Sequence, residues 1–256
     1  MSGHQQYTDP YEVFTAARLD VHVALPMGGV APIDPRSGSA DPFKRLPSAR
    51  AAINATRPLS SPKAEDFVGM MLAGGHGTMW DFADKADLRL SVEALMARNA
   101  AVGAVVHGPA GLLSARQPDG AQWIGGRRVN GITNAGEAAA GMSSVVPFML
   151  EDRLRTAGGK FESSRVCARH VGVEGALITG QNPAPTTGVA EAMVRHLQGN
   201  NGSESGRLTA LQALTKRNAA RQRVALNCPR TQVWRPSADR QPRLPDSGHQ
   251  AAWVPA

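Results

Sequence analysis

The sequence predicts an α/β domain in which helices cover both faces of a mostly parallel sheet. Over residues 1–198, short apolar runs alternate with stretches of helical spacing, which is typical of this class. Two of the apolar runs end in unusual turns, G-G-H-G at 74–77 and V-V-H-G-P at 105–109. The length of 256 residues suits one sizeable α/β domain or two small ones, and it is ample for a buried core.

The individual elements follow from the same pattern, because strands of a covered sheet are continuously apolar and helices repeat every three to four residues. The apolar runs predict strands at residues 19–25, 68–73, 101–106, 128–133 and 171–179. Helical spacing predicts helices at residues 84–99, 110–115 and 186–198. The apolar pair Met70 and Met71 lies within the second strand and is predicted to be core, not a binding surface.

Composition excludes several classes of protein. No stretch approaches the ~18 uninterrupted apolar residues of a membrane span, and the first residues lack the basic and apolar regions of a secretory signal. The two cysteines, Cys167 and Cys228, cannot form a disulfide framework, and no C-x-x-C pair is present for zinc. We therefore expect a soluble cytoplasmic protein.

The positive charge is concentrated near the C-terminus. Residues 199–256 contain nine Lys/Arg and three acidic residues, so they carry +6 of the net +7. This segment opens with a linker-like G-N-N-G-S run, has weak helical spacing at 207–227 and is rich in Pro, Arg, Gln and Ser beyond Pro229. We predict a basic, disordered tail at 199–256 after a domain at 1–198. A solvated extension is favoured over an arm that binds nucleic acid or acidic partners.

The two unusual turns are candidates for a functional site. Ligands of open α/β sheets bind beyond the carboxyl ends of strands, where both turns are expected to lie. The glycines at 74, 75 and 77 allow backbone N–H groups to approach a ligand. The turn after Val106 is of the kind that aims one side chain into a pocket at the positive end of a helix.

Several segments together resemble the DJ-1/PfpI superfamily, a class I glutamine amidotransferase-like fold. The resemblance is strongest to its glutathione-independent glyoxalase (glyoxalase III, D-lactate dehydratase) and heat-inducible chaperone branch. The resemblance covers roughly residues 6–198. Six segments carry it: the G-G-x-x-P-x-D-P-x-S pattern within 26–37, A-G-G-H-G-T-M-W-D-F at 73–82, H-G-P-A at 107–110, residues 131–137, P-F-M-L-E-D at 147–152 and L-I-T-G-Q-N-P at 177–183. It implies a flavodoxin-like, doubly wound three-layer sandwich.

The resemblance also implies a chemistry. In this family a cysteine thiolate on the strand-to-helix turn adds to the aldehyde of a small dicarbonyl such as methylglyoxal. A histidine moves protons, a carboxylate orients it, and backbone N–H groups bind the developing oxyanion. His107 matches the histidine and Glu137 the carboxylate, while the N–H groups of Gly75 and His107 match the oxyanion hole. No cofactor or metal is implied.

Two positions depart from the family pattern. The cysteine position holds Val106, which has no nucleophile and no ionisable proton, and the position of a second, N-terminal acid holds Gln6. Cys167 and Cys228 lie in segments that the family does not use for catalysis. The strand that precedes this acid in the family is missing, which we expect to leave a neighbouring strand unpaired. Activity is therefore expected to be absent or strongly reduced.

Alternatives are open for the histidines and the carboxylate. His107 is assigned to the residual triad, or it is a helix-start histidine satisfied by the backbone. Glu137 fits an active role and a helix-capping role equally well. His76 is interpreted as a packed loop histidine, with a metal ligand beside His107 as the alternative. The C-A-R-H run at 167–170 is interpreted as a chance resemblance to a metal motif.

The aromatic residues after the glycine loop allow two roles. Trp80 and Phe82 line a pocket or interface, or they pack in the core, which is the simpler interpretation. The predicted pocket comprises Gly74, His76, Gly77 and Trp80.

Three hypotheses of function follow. The first is a glyoxalase III relative acting on small α-oxoaldehydes with depleted activity. The second is a non-catalytic chaperone or holdase that binds unfolded clients, and the third is a degraded copy that folds poorly. Relatives are often dimers, so a homodimer is a further possibility.

Overall fold

The structure is a computed structural model that describes residues 5–32, 42–60, 63–164, 170–184, 186–202 and 222–227. Its helices are α1 (Gln5–Ala16), α2 (Pro47–Asn54), α3 (Thr78–Asp81), α4 (Ala86–Ala97), α5 (Asn134–Ala139), α6 (Leu150–Thr156) and α7 (Thr186–Gly202). Its strands are β1 (Asp20–Leu25), β2 (Arg57–Pro58), β3 (Gly69–Leu72), β4 (Ala101–Val105), β5 (Arg128–Val129), β6 (Lys160–Phe161), β7 (Val171–Glu174), β8 (Leu177–Gly180) and β9 (Arg223–Asn227).

Seven strands form one sheet in the order β2-β1-β9-β3-β4-β8-β7. All neighbours in it are parallel except β7 and β8, which form an antiparallel hairpin. The other two strands, β5 and β6, pair in a short parallel sheet of their own. This architecture confirms the predicted flavodoxin-like α/β class with a mostly parallel sheet.

Helices cover both faces of the main sheet because its strands are apolar on both sides. On one face, Met71 and Leu226 pack with side chains of α1, α2 and α7. On the other, Leu72 and Ala225 pack with side chains of α3, α4 and α6. Successive strand residues thus enter opposite cores, as the period of two requires. The result is the expected three-layer sandwich, with Met70 and Met71 both buried as predicted.

The main departure from the sequence prediction is β9, which lies in the middle of the sheet. It pairs in parallel with β1 on one side, from Asp20↔Arg223 to Ala24↔Asn227, and with β3 on the other. Val224 and Leu226 are fully buried in one core and Ala225 is buried in the other. Prediction of a disordered tail throughout 199–256 is therefore wrong for 223–227, and α7 also passes the predicted boundary at 198.

The same strand corrects the expectation of an unpaired sheet edge. No strand precedes α1 among the described residues, and β9 occupies the position between β1 and β3. Hydrogen bonds at the start of β9 extend the pairing, from Asp20 N–H to the Gln222 carbonyl (2.7 Å) and from Val68 N–H to the Arg223 carbonyl (2.8 Å). A C-terminal segment thus supplies the backbone partners that a first strand would give.

Smaller corrections concern four predicted elements. The strand predicted at 128–133 is only β5, because Thr133 already caps α5. The strand predicted at 171–179 is the β7–β8 hairpin, which reverses at Gly175 with a φ of 60°. The helix predicted at 110–115 is a 3-10 turn at Gly108–Leu112. Of the weak helix at 207–227, the last five residues are β9, and 207–221 lie outside the described residues.

Among the described residues, no helix combines the length and the apolar character that a membrane crossing requires.

The position of β9 predicts that the C-terminal segment is essential for folding. A chain ending at Gly202 lacks β9, which leaves β1 and β3 without their shared partner and removes Val224 and Leu226 from the core. We expect it to lose the cooperative thermal transition measured by circular dichroism. A chain ending at Asn227 is the matched control and should keep it. A cooperative transition in the shorter chain, at the temperature of the full chain, would contradict this role.

Candidate active site

The site is built around a sharp turn at the end of β4. Val106 follows β4 with a φ of 59°, a left-handed conformation that is rare for a β-branched residue and costs on the order of 1–3 kcal/mol. Its backbone is held on both sides: its N–H donates to the Gly180 carbonyl (2.8 Å), and its carbonyl accepts from the Ile132 N–H (2.8 Å). Flanking segments therefore impose the conformation, which the side chain alone does not favour.

This turn approaches the end of β3 very closely. A Cβ added to Gly108 would collide with the carbonyl oxygen of Leu72, so only glycine fits there. The Thr78 hydroxyl joins the two strand ends, since it lies 2.9 Å from the Gly75 carbonyl and 3.0 Å from the His107 carbonyl and can donate to either. The two turns that the sequence singled out are thus neighbours.

The glycine loop after β3 lies against both Val106 and the start of α1. A Cβ on Gly74 would collide with Gln6 Oε1, the Val105 carbonyl oxygen and Val106 Cβ. Gln6 therefore lies beside Val106, as the position of the family's N-terminal acid implies. Gly75 has a φ of 129°, which a side chain would strain.

The carboxylate of Glu137 enters the site from the first turn of α5. Thr133 caps this helix, because its Oγ1 accepts from the Gly136 N–H at 3.0 Å. The capping role considered for Glu137 is therefore wrong. Its side chain instead points into the protein, where the residue is 1% exposed.

Glu137 bridges two histidines. Its Oε2 lies 2.9 Å from His107 Nε2, and its Oε1 lies 2.9 Å from His76 Nε2. The two imidazole rings are also in contact, with centroids 4.3 Å apart. His107 is buried, whereas the His76 side chain is 21% exposed and forms the open side of the cluster. The sequence paired His107 with Glu137, and the structure adds His76 on the second carboxylate oxygen.

Burial and hydrogen bonding decide the charges of this cluster. Burial raises the pKa of Glu137, but the hydrogen bonds from His107 and His76 outweigh it and lower that pKa to about 2. Burial lowers the pKa of His107 below its ordinary 6.5, against the hydrogen bond to Glu137, which raises it. At neutral pH the carboxylate is ionised and His107 is neutral, with its proton on the Nε2 that donates to Glu137.

Several polar atoms beside Val106 have no partner in the part of the chain that the structure describes. His107 Nδ1 and Gln6 Oε1 are buried and make no hydrogen bond there. The backbone N–H groups of Gly75 and His107 likewise donate no hydrogen bond to a described residue. Because buried polar groups are normally satisfied, these atoms mark a place that can take a small polar ligand.

The remaining predicted residues fall into two groups. Gly74, Gly75 and His76 are partly exposed at the end of β3 and Gly77 is buried. Trp80, by contrast, is 43% exposed, so its predicted core packing is wrong, whereas Phe82 is fully buried. Cys167 and Cys228 lie outside the described residues.

Comparisons with known proteins identify the family and confirm the fold. The structure superimposes on Rapid Encystment Protein 24 KDa (REP24) of Francisella tularensis with a TM-score of 0.73 and 31% identity, covering 77% of this chain and 89% of that protein. The chain belongs to the DJ-1/PfpI superfamily. Glyoxalase III of Candida albicans shares the fold with a TM-score of 0.71 at 20% identity, covering 76% of this chain and 87% of that one. No protein-family model matches the chain.

Among curated DJ-1/PfpI relatives, glutathione-independent glyoxalase hsp3101 of Schizosaccharomyces pombe is 28% identical over 152 residues. The match covers 56% of this chain, which spans 62% of the length of that relative. Homologues with the glyoxalase name therefore exist at modest identity.

The charges of the site predict that acid destabilises the fold in two stages. The pKa of His107 is lower in the folded chain, so the unfolded chain binds an extra proton as pH falls below 6.5, at up to about 1.4 kcal/mol per pH unit. The pKa of Glu137 is also lowered, so its contribution is lost between pH 4.5 and about 2. We expect the free energy of unfolding in urea to fall between pH 6.5 and 5 in the wild type, and less steeply in His107→Gln.

His196→Gln is the matched control, because His196 lies on α7 and bonds the Asn99 carbonyl away from the site. A pH dependence equal in His107→Gln and wild type would refute the neutral, buried state of His107.

Proposed function

We propose that this chain is a glyoxalase III-like protein that keeps a pocket for small α-oxoaldehydes but has lost most or all of the thiol-dependent turnover. The observation that carries the proposal is Val106 on the strained turn after β4, next to His107 and the glycine loop. The glyoxalase names of its relatives support the substrate class.

Valine removes one defined step from the chemistry that the family resemblance implies. In that chemistry a thiolate forms a carbon–sulfur bond to the aldehyde carbon, and the carbonyl oxygen becomes an oxyanion. A proton transfer from the former aldehyde carbon to the neighbouring carbonyl carbon then gives the thioester of the hydroxy acid, and water cleaves its carbon–sulfur bond to release the acid and the thiol. The isopropyl group of Val106 offers no lone pair for the first bond, so no hemithioacetal can form at this position.

The rest of the pocket retains groups that could bind the substrate. The N–H groups of Gly75 and His107, which donate to no described residue, can donate hydrogen bonds to a carbonyl oxygen, as in an oxyanion hole. His107 Nδ1 carries a lone pair, because its Nε2 proton is directed to Glu137. It can therefore accept a hydrogen bond from a hydrated aldehyde. Binding without covalent activation is the expected result.

Gln6 adds a second reason for low activity. A glutamate there would hold a proton or a charge beside the nucleophile, whereas the neutral Gln6 amide can do neither. Its buried Oε1 has no partner among the described residues and lies beside Gly74 and Val106, where such an acid would act. A cysteine alone should therefore restore only part of the activity.

The direct test restores the thiol. Metal-free wild type incubated with methylglyoxal should form lactate no faster than buffer, whereas Val106→Cys should raise the rate at least about 10²-fold. This is a fraction of the ~10⁶-fold effect that losing a nucleophile can have. Val106→Cys combined with Gln6→Glu should be faster still, and enzymatic detection of D- and L-lactate measures both.

Val106→Ser is the matched control, because it has the same shape as the cysteine variant without a thiolate. It should stay at the wild-type rate. Robust lactate formation by wild type, or equal rates for the serine and cysteine variants, would contradict the proposal.

The holdase role stays the alternative hypothesis. The large exposed apolar side chains of the described residues are divided among four separate segments, namely Met27 with Val30, Trp80, Leu90 and Val173. No single observation favours this role over ligand binding. Suppression of client aggregation by wild type and equally by His107→Ala, without any binding of α-oxoaldehyde or lactate, would favour it.

A further inference from the structure

The cluster of His76, His107 and Glu137 contains the donor set of a metal site. Its three candidate ligand atoms, two imidazole nitrogens and one carboxylate oxygen, lie within 4.8 Å of one another. Each Nε2 is 2.9 Å from a carboxylate oxygen. Ligands about 2.1 Å from one metal ion in tetrahedral geometry are about 3.4 Å apart. The Nε2-to-oxygen distances are below this value and the widest separation is above it, so the side chains must adjust to surround an ion.

The charge of the cluster favours a cation. Glu137 is 1% exposed, and within the described residues its carboxylate contacts the two histidines but no Lys or Arg. A divalent ion would give this buried carboxylate a fully charged partner in addition to its neighbouring imidazoles. Imidazole nitrogen and carboxylate oxygen are both common zinc ligands, and the cluster brings these two types together.

The cluster is also accessible from solvent, and it supplies three ligands where a zinc ion takes four. The His76 side chain is 21% exposed, so an ion can reach the buried pair from that side. Two histidines and a glutamate are the ligands of several catalytic zinc sites, which leave a fourth position for water or substrate. The N–H groups of Gly75 and His107, which donate to no residue that the structure describes, belong to the same turns, so an oxygen ligand in that position would have hydrogen-bond donors nearby.

We propose that His76 Nε2, His107 Nε2 and the Glu137 carboxylate bind one divalent transition-metal ion of the zinc type. The ion leaves an open position for an oxygen of a small ligand. On binding, the protons that both Nε2 atoms direct at Glu137 move to the Nδ1 atoms, so His107 Nδ1 becomes a donor. Metal binding is independent of whether the chain turns over methylglyoxal, because it requires neither a thiol nor substrate.

The test is direct binding to the full-length chain without an affinity tag. After removal of metal with EDTA and dialysis, Zn²⁺ is titrated by calorimetry and Co²⁺ by visible absorption, which reports four-coordinate binding between about 500 and 650 nm. Because Cys167, Cys228 and His170 are potential ligands elsewhere, the titrations use Cys167→Ser/Cys228→Ser as the parent. We expect one equivalent of Zn²⁺ to bind with a micromolar or lower Kd.

Two site variants and two control variants locate the ion. His76→Ala and Glu137→Gln should each weaken Zn²⁺ binding at least 100-fold and abolish the Co²⁺ bands. His196→Ala and His170→Ala should leave both unchanged, since these histidines lie outside the cluster. His76 is partly exposed, so its variant should fold even if Glu137→Gln does not, and circular dichroism checks both.

The proposal is overturned by either of two results. One is the absence of stoichiometric Zn²⁺ binding in the parent. The other is binding that survives His76→Ala unchanged, or that disappears in His170→Ala, because the ion would then lie elsewhere in the chain.

Discussion

The candidate site depends on one backbone constraint, the left-handed turn at Val106. A β-branched residue adopts this conformation only when its surroundings enforce it. Here, hydrogen bonds from Val106 to Gly180 and from Ile132 to Val106 hold the turn, and Gly108 allows it to approach Leu72. Such a turn normally presents a reactive side chain, and in this chain it presents a hydrocarbon. Under the proposed function, the turn is therefore kept while the group that would form the covalent bond is absent.

The turn can be held in this way only if the sheet around it is continuous. β3 and β4 end side by side, and β9 joins β3 to β1 on the far side. The C-terminal segment thus supports the glycine loop through the strand that precedes it. A chain whose net positive charge is concentrated near its C-terminus still uses five residues of that region as a central strand, and three of them, Val224, Ala225 and Leu226, are buried in the core. The basic and polar composition of the region around β9 therefore does not predict that β9 itself is a buried strand.

Periodicity and resemblance predicted much of the fold. The apolar runs at 68–73 and 101–106 were sufficient for β3 and β4, and the motifs placed His107 beside Glu137. β9 was not predictable from pattern, because Val224, Ala225 and Leu226 are too short an apolar run between arginines and other polar residues to outweigh the composition around them. The hydrogen bond between His76 and Glu137 was also not predicted, because only the tertiary structure brings the two residues together. The available signal in the sequence was the histidine within the glycine-rich loop.

The central claim is that no thiol of this chain serves the pocket. It is tested most directly by following lactate formation from methylglyoxal with metal-free wild type before and after complete alkylation of its cysteines by iodoacetamide. We predict the buffer rate in both samples, because the residue at the turn carries no sulfur. Turnover well above buffer that alkylation abolishes would show that Cys167 or Cys228 acts as the nucleophile, and it would contradict the claim.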